Sequence, residues 1–132
     1  MSASHYIDHE NKLIITKWEG EATDANFIEA LRNYLMHIRS SPECVDYNEI
    51  VDLRKASPIN LTISGLVEIG RIATDTTIDE YNMKMALIVK SGFSFSFANL
   101  YIFYRNLGRR DRKKIAIFLN ESEAHEWVKK EM

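Results

Sequence analysis

The sequence predicts an α/β fold: a mixed sheet of about five strands in the order β-β-α-β-α-β-α-β-α, with parallel crossovers and an N-terminal antiparallel hairpin. Three observations lead there. Short apolar runs occur at Ile50, Val51 and Leu53, at Met83 to Val89, and at Ala116 to Leu119 with Ile115. Such runs suit strands buried on both faces. Stretches with apolar residues at helical spacing separate them, which implies right-handed crossovers between parallel strands.

Taken in order, residues 1–4 read as a frayed start and Tyr6-Ile7 as a short strand. His9-Glu10-Asn11-Lys12 reads as a polar turn. Leu13 to Trp18 alternates, with Leu13 and Ile15 on one side and Ile14, Thr16 and Trp18 on the other, so the two segments form an edge hairpin. Gly20 and Glu21 end it. Thr23 or Asp24 caps the next helix, whose inward face is Phe27, Leu31, Tyr34, Leu35 and Ile38, and Ser40-Ser41-Pro42 stops it.

The segment from Tyr47 to Ala73 organises the rest. Its buried strand ends at Asp52 and Arg54, and Ser57-Pro58 blocks continuation. Leu66, Ile69, Gly70 and Ala73 then fall on one helix face. Thr74 to Glu80 is a polar loop, Met83 to Val89 a strand, and Ser94 to Leu107 a third helix. After the last strand, Asn120 stands three residues before Glu123, the spacing of a reciprocal helix cap. Ala124, Trp127 and Val128 face inward on the final helix.

Composition narrows the function classes. A chain of 132 residues has the length of one domain, and 45% apolar with 27% charged residues is ordinary for a globular protein. A net charge of -2 argues against nucleic-acid binding. One cysteine, Cys44, makes no internal disulfide, and no signal peptide or membrane-spanning run is present, so a cytoplasmic location is expected.

Together with this order, the residues resemble the STAS or SpoIIAA-like fold, the family of anti-sigma-factor antagonists and related small bacterial domains. Its mark is a strand ending in Asp-Leu-x, a short loop, and Asp-Ser-Ser-Gly-Leu opening a helix. Val51-Asp52-Leu53-Arg54 matches the strand end, and Ile63-Ser64-Gly65-Leu66 is similar to the helix start. The loop is longer here, and Thr62-Ile63 stands where the family has Asp-Ser. The C-terminal third resembles a bacterial STAS-like subgroup through Ala86 to Val89, Phe97-Ala98, Tyr101, Phe118, Glu123-Ala124 and Trp127. The resemblance implies a non-catalytic regulatory or binding module whose partner is a kinase-like or anti-sigma-type protein. Ser64 then matches the serine that a partner kinase phosphorylates.

Ser64 has a second reading, in which it merely caps or decorates the first turn and Gly65 serves close packing on the sheet. Ser57, Thr62 and Gly65 share its loop. Asp52 and Arg54 belong to the same surface or pair with each other's neighbours at the strand end.

Phe93, Phe95, Phe97, Tyr101, Phe103 and Tyr104 crowd one predicted helix, which must leave part of this set for a pocket, a homodimer contact or a membrane-facing patch, unless loops cover it. Arg105, Arg109 and the cations up to Lys114 follow directly. Aromatics before basics make an alternative reading: a small apolar or lipid-like ligand site with an anion-binding rim, as in the CRAL-TRIO domains that are related in fold. The bland reading is a solvated loop with cations at a helix end.

Catalysis finds little support. His5, His9, His37 and His125 show no metal-ligand spacing, Cys44 has no partner motif, and the glycines form no phosphate-binding fingerprint. No cofactor, no metal and no enzymatic activity are expected.

Overall fold

The structure is a computed structural model that describes residues 1–44, 46–75, 83–92 and 114–130. Five strands form one mixed sheet in the order β1-β2-β4-β6-β7: β1 (Ser2–Asp8), β2 (Leu13–Glu19), β4 (Asn48–Lys55), β6 (Lys84–Ile88) and β7 (Lys114–Phe118). β1 runs antiparallel to β2, and the remaining pairs are parallel. The expected mixed sheet and N-terminal hairpin are therefore present. The expected third helix, with Phe93, Phe97, Tyr101, Tyr104, Arg105 and Arg109, lies outside the described residues.

Each crossover from β2 to β4 and from β4 to β6 steps one strand in the same direction. A constant hand therefore places helices α1 (Asp24–Arg39) and α2 (Ile63–Asp75) on one face. The final helix, α3 (Glu121–Lys129), packs on the other. The alternation of the strands matches these two layers. Ile14, Trp18, Val51, Met85, Leu87 and Val89 join Leu31, Tyr34, Ile69 and Ile72 on the α1/α2 side. Leu13, Ile50, Ala86 and Ile88 join Ala124 and Val128 on the α3 side. The third strand in line, β4, has Ile50 at 1% exposure, as an interior strand requires.

Several expectations shift. The chain start is not frayed: β1 runs from Ser2, and its Asp8 carboxylate accepts hydrogen bonds from the backbone N–H and side-chain amide of Asn11 in the hairpin turn. Thr74 and Asp75 belong to α2, not to a loop. Leu119 falls just past β7 and is half exposed. A two-residue parallel pairing also forms between β3 (Ala22–Thr23) and β5 (Ile59–Asn60), too short to carry a periodicity.

Helix α3 has only 9 residues, too few to hold by propensity. Asn120 caps its start by accepting from the Glu123 N–H at 2.9 Å. Lys84 holds its end. This lysine is buried at 4% exposure, and its Nζ donates to the Trp127 and Lys130 carbonyls at 2.8 and 2.6 Å, above the Trp127 ring. A cation on the carbonyls at a helix C-terminus is favourable. Asn48 adds a bond to the Val128 carbonyl at 3.0 Å while accepting from the Lys84 N–H.

On the opposite face, His5 of β1 pairs across the hairpin with Thr16 and sits beneath α1. Its ring centroid lies 4.3 Å from His37 and 5.6 Å from Tyr34. The Tyr34 hydroxyl lies near Thr16 but outside hydrogen-bond geometry. Burial first, then the charge of Glu49, raises the Tyr34 pKa. Burial, and next the charge of His37, lowers the pKa of His5 from its usual 6.5.

Two outcomes follow from these contacts. Between the lowered folded pKa of His5 and 6.5 the unfolded chain binds the proton more readily, so stability rises with pH across that interval and levels above it. Urea midpoints measured from about pH 5 to pH 8 should show this rise, and it should be shallower in His37→Gln. Lys84→Met should cost about 1–2 kcal/mol, read as a lower urea midpoint, with the fastest-exchanging amides of the variant in α3.

Candidate functional site

The two helices on the shared face begin side by side. Gly20 turns the chain after β2 with a φ of 98°, a conformation that favours glycine. Its N–H donates to the Lys55 carbonyl, and its carbonyl accepts from the Ser57 N–H. Ala22 N–H then donates to the Pro58 carbonyl, and β3 pairs with β5. From this small ladder both chains enter helices. Thr23 caps α1 by accepting from the Asn26 N–H at 3.1 Å. Thr62 caps α2 by accepting from the Gly65 N–H at 3.0 Å.

One carboxylate joins these starts. Asp24, the first residue of α1, accepts from the Thr62 N–H at 2.9 Å and from the Thr62 hydroxyl at 2.6 Å. Thr62 thus relays hydrogen bonds from Asp24 into the first turn of α2, a favourable place for negative charge. Gly65 permits the approach, because a Cβ there would overlap the Asp24 carboxylate. Its role is close packing against the neighbouring helix start rather than against the sheet. Where the resemblance expects an aspartate before the serine, this chain has Thr62, and the carboxylate arrives from α1. No spacing in the sequence connects positions 24 and 62, so Asp24 escapes a reading by motif. Only its place at a helix start could have flagged it.

Ser64 is the second residue of α2 and is exposed. It does not cap the helix, since Thr62 does. Ile63 and Val67, 59% and 46% exposed, stand at positions i-1 and i+3 from it. The sequence reading overlooked them, though a branched aliphatic in the first turn of a helix whose inward face lies elsewhere is a readable signal. Ser57 is exposed in the loop before β5.

Asp52 and Arg54 pair chiefly with each other. Arg54 Nε and Nη2 donate to the two carboxylate oxygens at 3.0 and 2.7 Å, and the Arg54 N–H donates to Asp52 as well. Burial pushes the Asp52 carboxyl up, but its hydrogen bonds to Arg54 outweigh this and hold it below the usual carboxylate range. Arg54 also reaches Glu121 of α3 at 3.2 Å. The trio ties the end of β4 to the last helix and is a structural clasp. Beside it, Lys17, Lys55 and Lys90 with Glu19 line a polar cleft of about 450 Å³ at the carboxyl ends of β2, β4 and β6.

The proposed ligand or dimer surface of aromatics and arginines lies wholly outside the described residues. Between α1, α2 and the sheet there is an apolar cavity of about 90 Å³ lined by residues such as Leu31, Val51, Leu66 and Leu87. That is smaller than the roughly 150 Å³ that admits benzene. The histidines do not converge on Ser64: His5 and His37 face each other between β1 and α1, His9 bonds Tyr47, and His125 is on α3.

The Asp24–Gly65 approach has a measurable signature. Gly65→Ala should destabilise by about 1–3 kcal/mol through overpacking. In an Asp24→Ala background the added methyl meets no carboxylate, so the same substitution should cost markedly less, with a coupling of at least about 0.5 kcal/mol in a urea double-mutant cycle.

No family model matches the sequence, and no curated protein matches it. A solved structure does: an uncharacterised protein of the DUF3478 family from Shewanella loihica PV-4, described with a SpoIIAA-like fold. The similarity covers 96% of this chain and 94% of that one, with a TM-score of 0.61 and 11% identity. At that identity the likeness shows architecture alone, and the chain has a SpoIIAA-like fold.

Proposed function

We propose that the chain is a non-catalytic docking module whose working surface is the start of α2, switched by phosphorylation of Ser64. The observation that supports this reading is the exposure of Ser64 beside two exposed aliphatic side chains, Ile63 and Val67. An apolar pair next to a hydroxyl suits a protein partner that covers the first turn. A phosphate there would add about -1.5 to -2 charges. The positive end of α2 tolerates that charge in the free protein, whereas an apolar partner surface would have to bury it unpaired. Modification then releases the partner without unfolding the module. A kinase-like or anti-sigma-type protein is the partner class in keeping with the fold resemblance.

The test combines modification with capture. Mass spectrometry of the protein from its own cells should find phosphate on Ser64. A partner retained by Ser64→Ala should bind Ser64→Asp at least about tenfold more weakly, a difference of 1.4 kcal/mol. Ile63→Glu should weaken the same partner with Ser64 intact. Absence of phosphate, together with equal capture by all variants, would refute the reading.

A further inference from the structure

At the other end of the sheet, the fold assembles a donor set that the sequence scatters over 35 positions. We propose that His9, Glu43 and Cys44 bind one divalent transition cation of the zinc class. A ring nitrogen of His9, a carboxylate oxygen of Glu43 and the Cys44 sulfur all lie within 4.8 Å of one another. Bonds of about 2.0–2.3 Å to a shared tetrahedral centre need donors roughly 3.3–3.8 Å apart, so the set has to draw in by up to about 1.5 Å. Glu43 is exposed at the surface and can close the difference by side-chain rotation, whereas Cys44 is held at 2% exposure.

A second observation supports a ligand role for His9. Its Nδ1 is hydrogen-bonded to the Tyr47 hydroxyl at 2.9 Å, and the two rings meet edge to face with centroids 5.8 Å apart. Metal-bound imidazoles are characteristically oriented by such a bond through the other nitrogen, which here leaves Nε2 as the coordinating atom. Tyr47 is itself buried at 6% exposure and anchored in the α1/α2-side core.

The donor types choose the class of ion. A thiolate with an imidazole favours zinc-like cations over magnesium or calcium, which take oxygen donors. One thiolate and one carboxylate balance the charge of a divalent ion, and three protein ligands leave a fourth position for water. The bound ion would join the β1–β2 turn, which carries His9, to the short 3-10 turn Pro42–Cys44 between α1 and β4. This site is separate from the α2 surface and does not depend on the docking reading.

The test uses tag-free protein stripped with a chelator. Cobalt(II) should give a thiolate-to-metal charge-transfer band in the near ultraviolet, and one equivalent of zinc should bleach it. Competition against a chromophoric chelator should show one zinc per chain. His9→Ala should weaken zinc by at least about tenfold, and Tyr47→Phe, acting only through His9, by about tenfold. Cys44→Ser should abolish the band. His125→Ala, on α3 and outside the donor set, should leave the affinity unchanged. Should Cys44→Ser fail to fold, the surface variants His9→Ala and Glu43→Gln carry the test. No band with the unaltered protein, or zinc affinity undiminished in His9→Ala, overturns the proposal.

Discussion

The carboxylate of Asp24 decides where the second helix starts. Two helices that emerge from adjacent strands of a tiny ladder bring two positive dipole ends together, which is unfavourable unless a negative group sits between them. Asp24 supplies it, and its bonds to Thr62 fix the N-cap from which α2 is counted. A shift of the cap by one residue would rotate the helix by about 100° and turn Leu66 and Ile69 out of the core. The exposure of Ser64, Ile63 and Val67 is thus the outward counterpart of one polar contact made on the inward side of the turn. Gly65 belongs to the same constraint, because the contact needs a residue without a side chain where the two helix starts meet.

The opposite face of the sheet is organised on a different principle. Helix α3 buries little more than Ala124 and Val128 completely, so polar groups from the sheet hold both its ends. Arg54, already paired with Asp52, reaches Glu121 in the first turn, while Lys84 and Asn48 take carbonyls of the last. Buried charge usually costs more than it returns unless each hydrogen is matched. Here the lysine is matched to the carbonyls of Trp127 and Lys130 at the end of the helix. What looks in the sequence like a flaw in an apolar strand is the fastening of the final helix.

Local physics made much of this architecture legible. The central strand around Ile50, the strand within Met83 to Val89, the inward face of α2 and the Asn120 cap each declare themselves within a few neighbouring residues, through burial pattern or spacing. The length of β1 was hidden because an edge strand with exposed Ser2, Ser4 and Tyr6 has no apolar alternation to detect. The β3–β5 ladder was hidden by its brevity. At the candidate site, Ser64 and Gly65 were visible through a short resemblance, whereas Asp24 was not, since a contact across 38 positions leaves no trace in local composition. The same holds for His9 and Cys44, which only the return of the chain to the far end of the sheet brings together.

The edge position of β1 has a practical corollary. This strand shields the flank of β2, whose Ile14, Thr16 and Trp18 are among the most deeply enclosed side chains. Trimming or sterically crowding the first residues would uncover a run of unpaired amides and carbonyls beside an aliphatic and aromatic row, the sort of template on which chains stack into insoluble material. A shortened variant that precipitates should therefore be blamed on its bared margin before its chemistry.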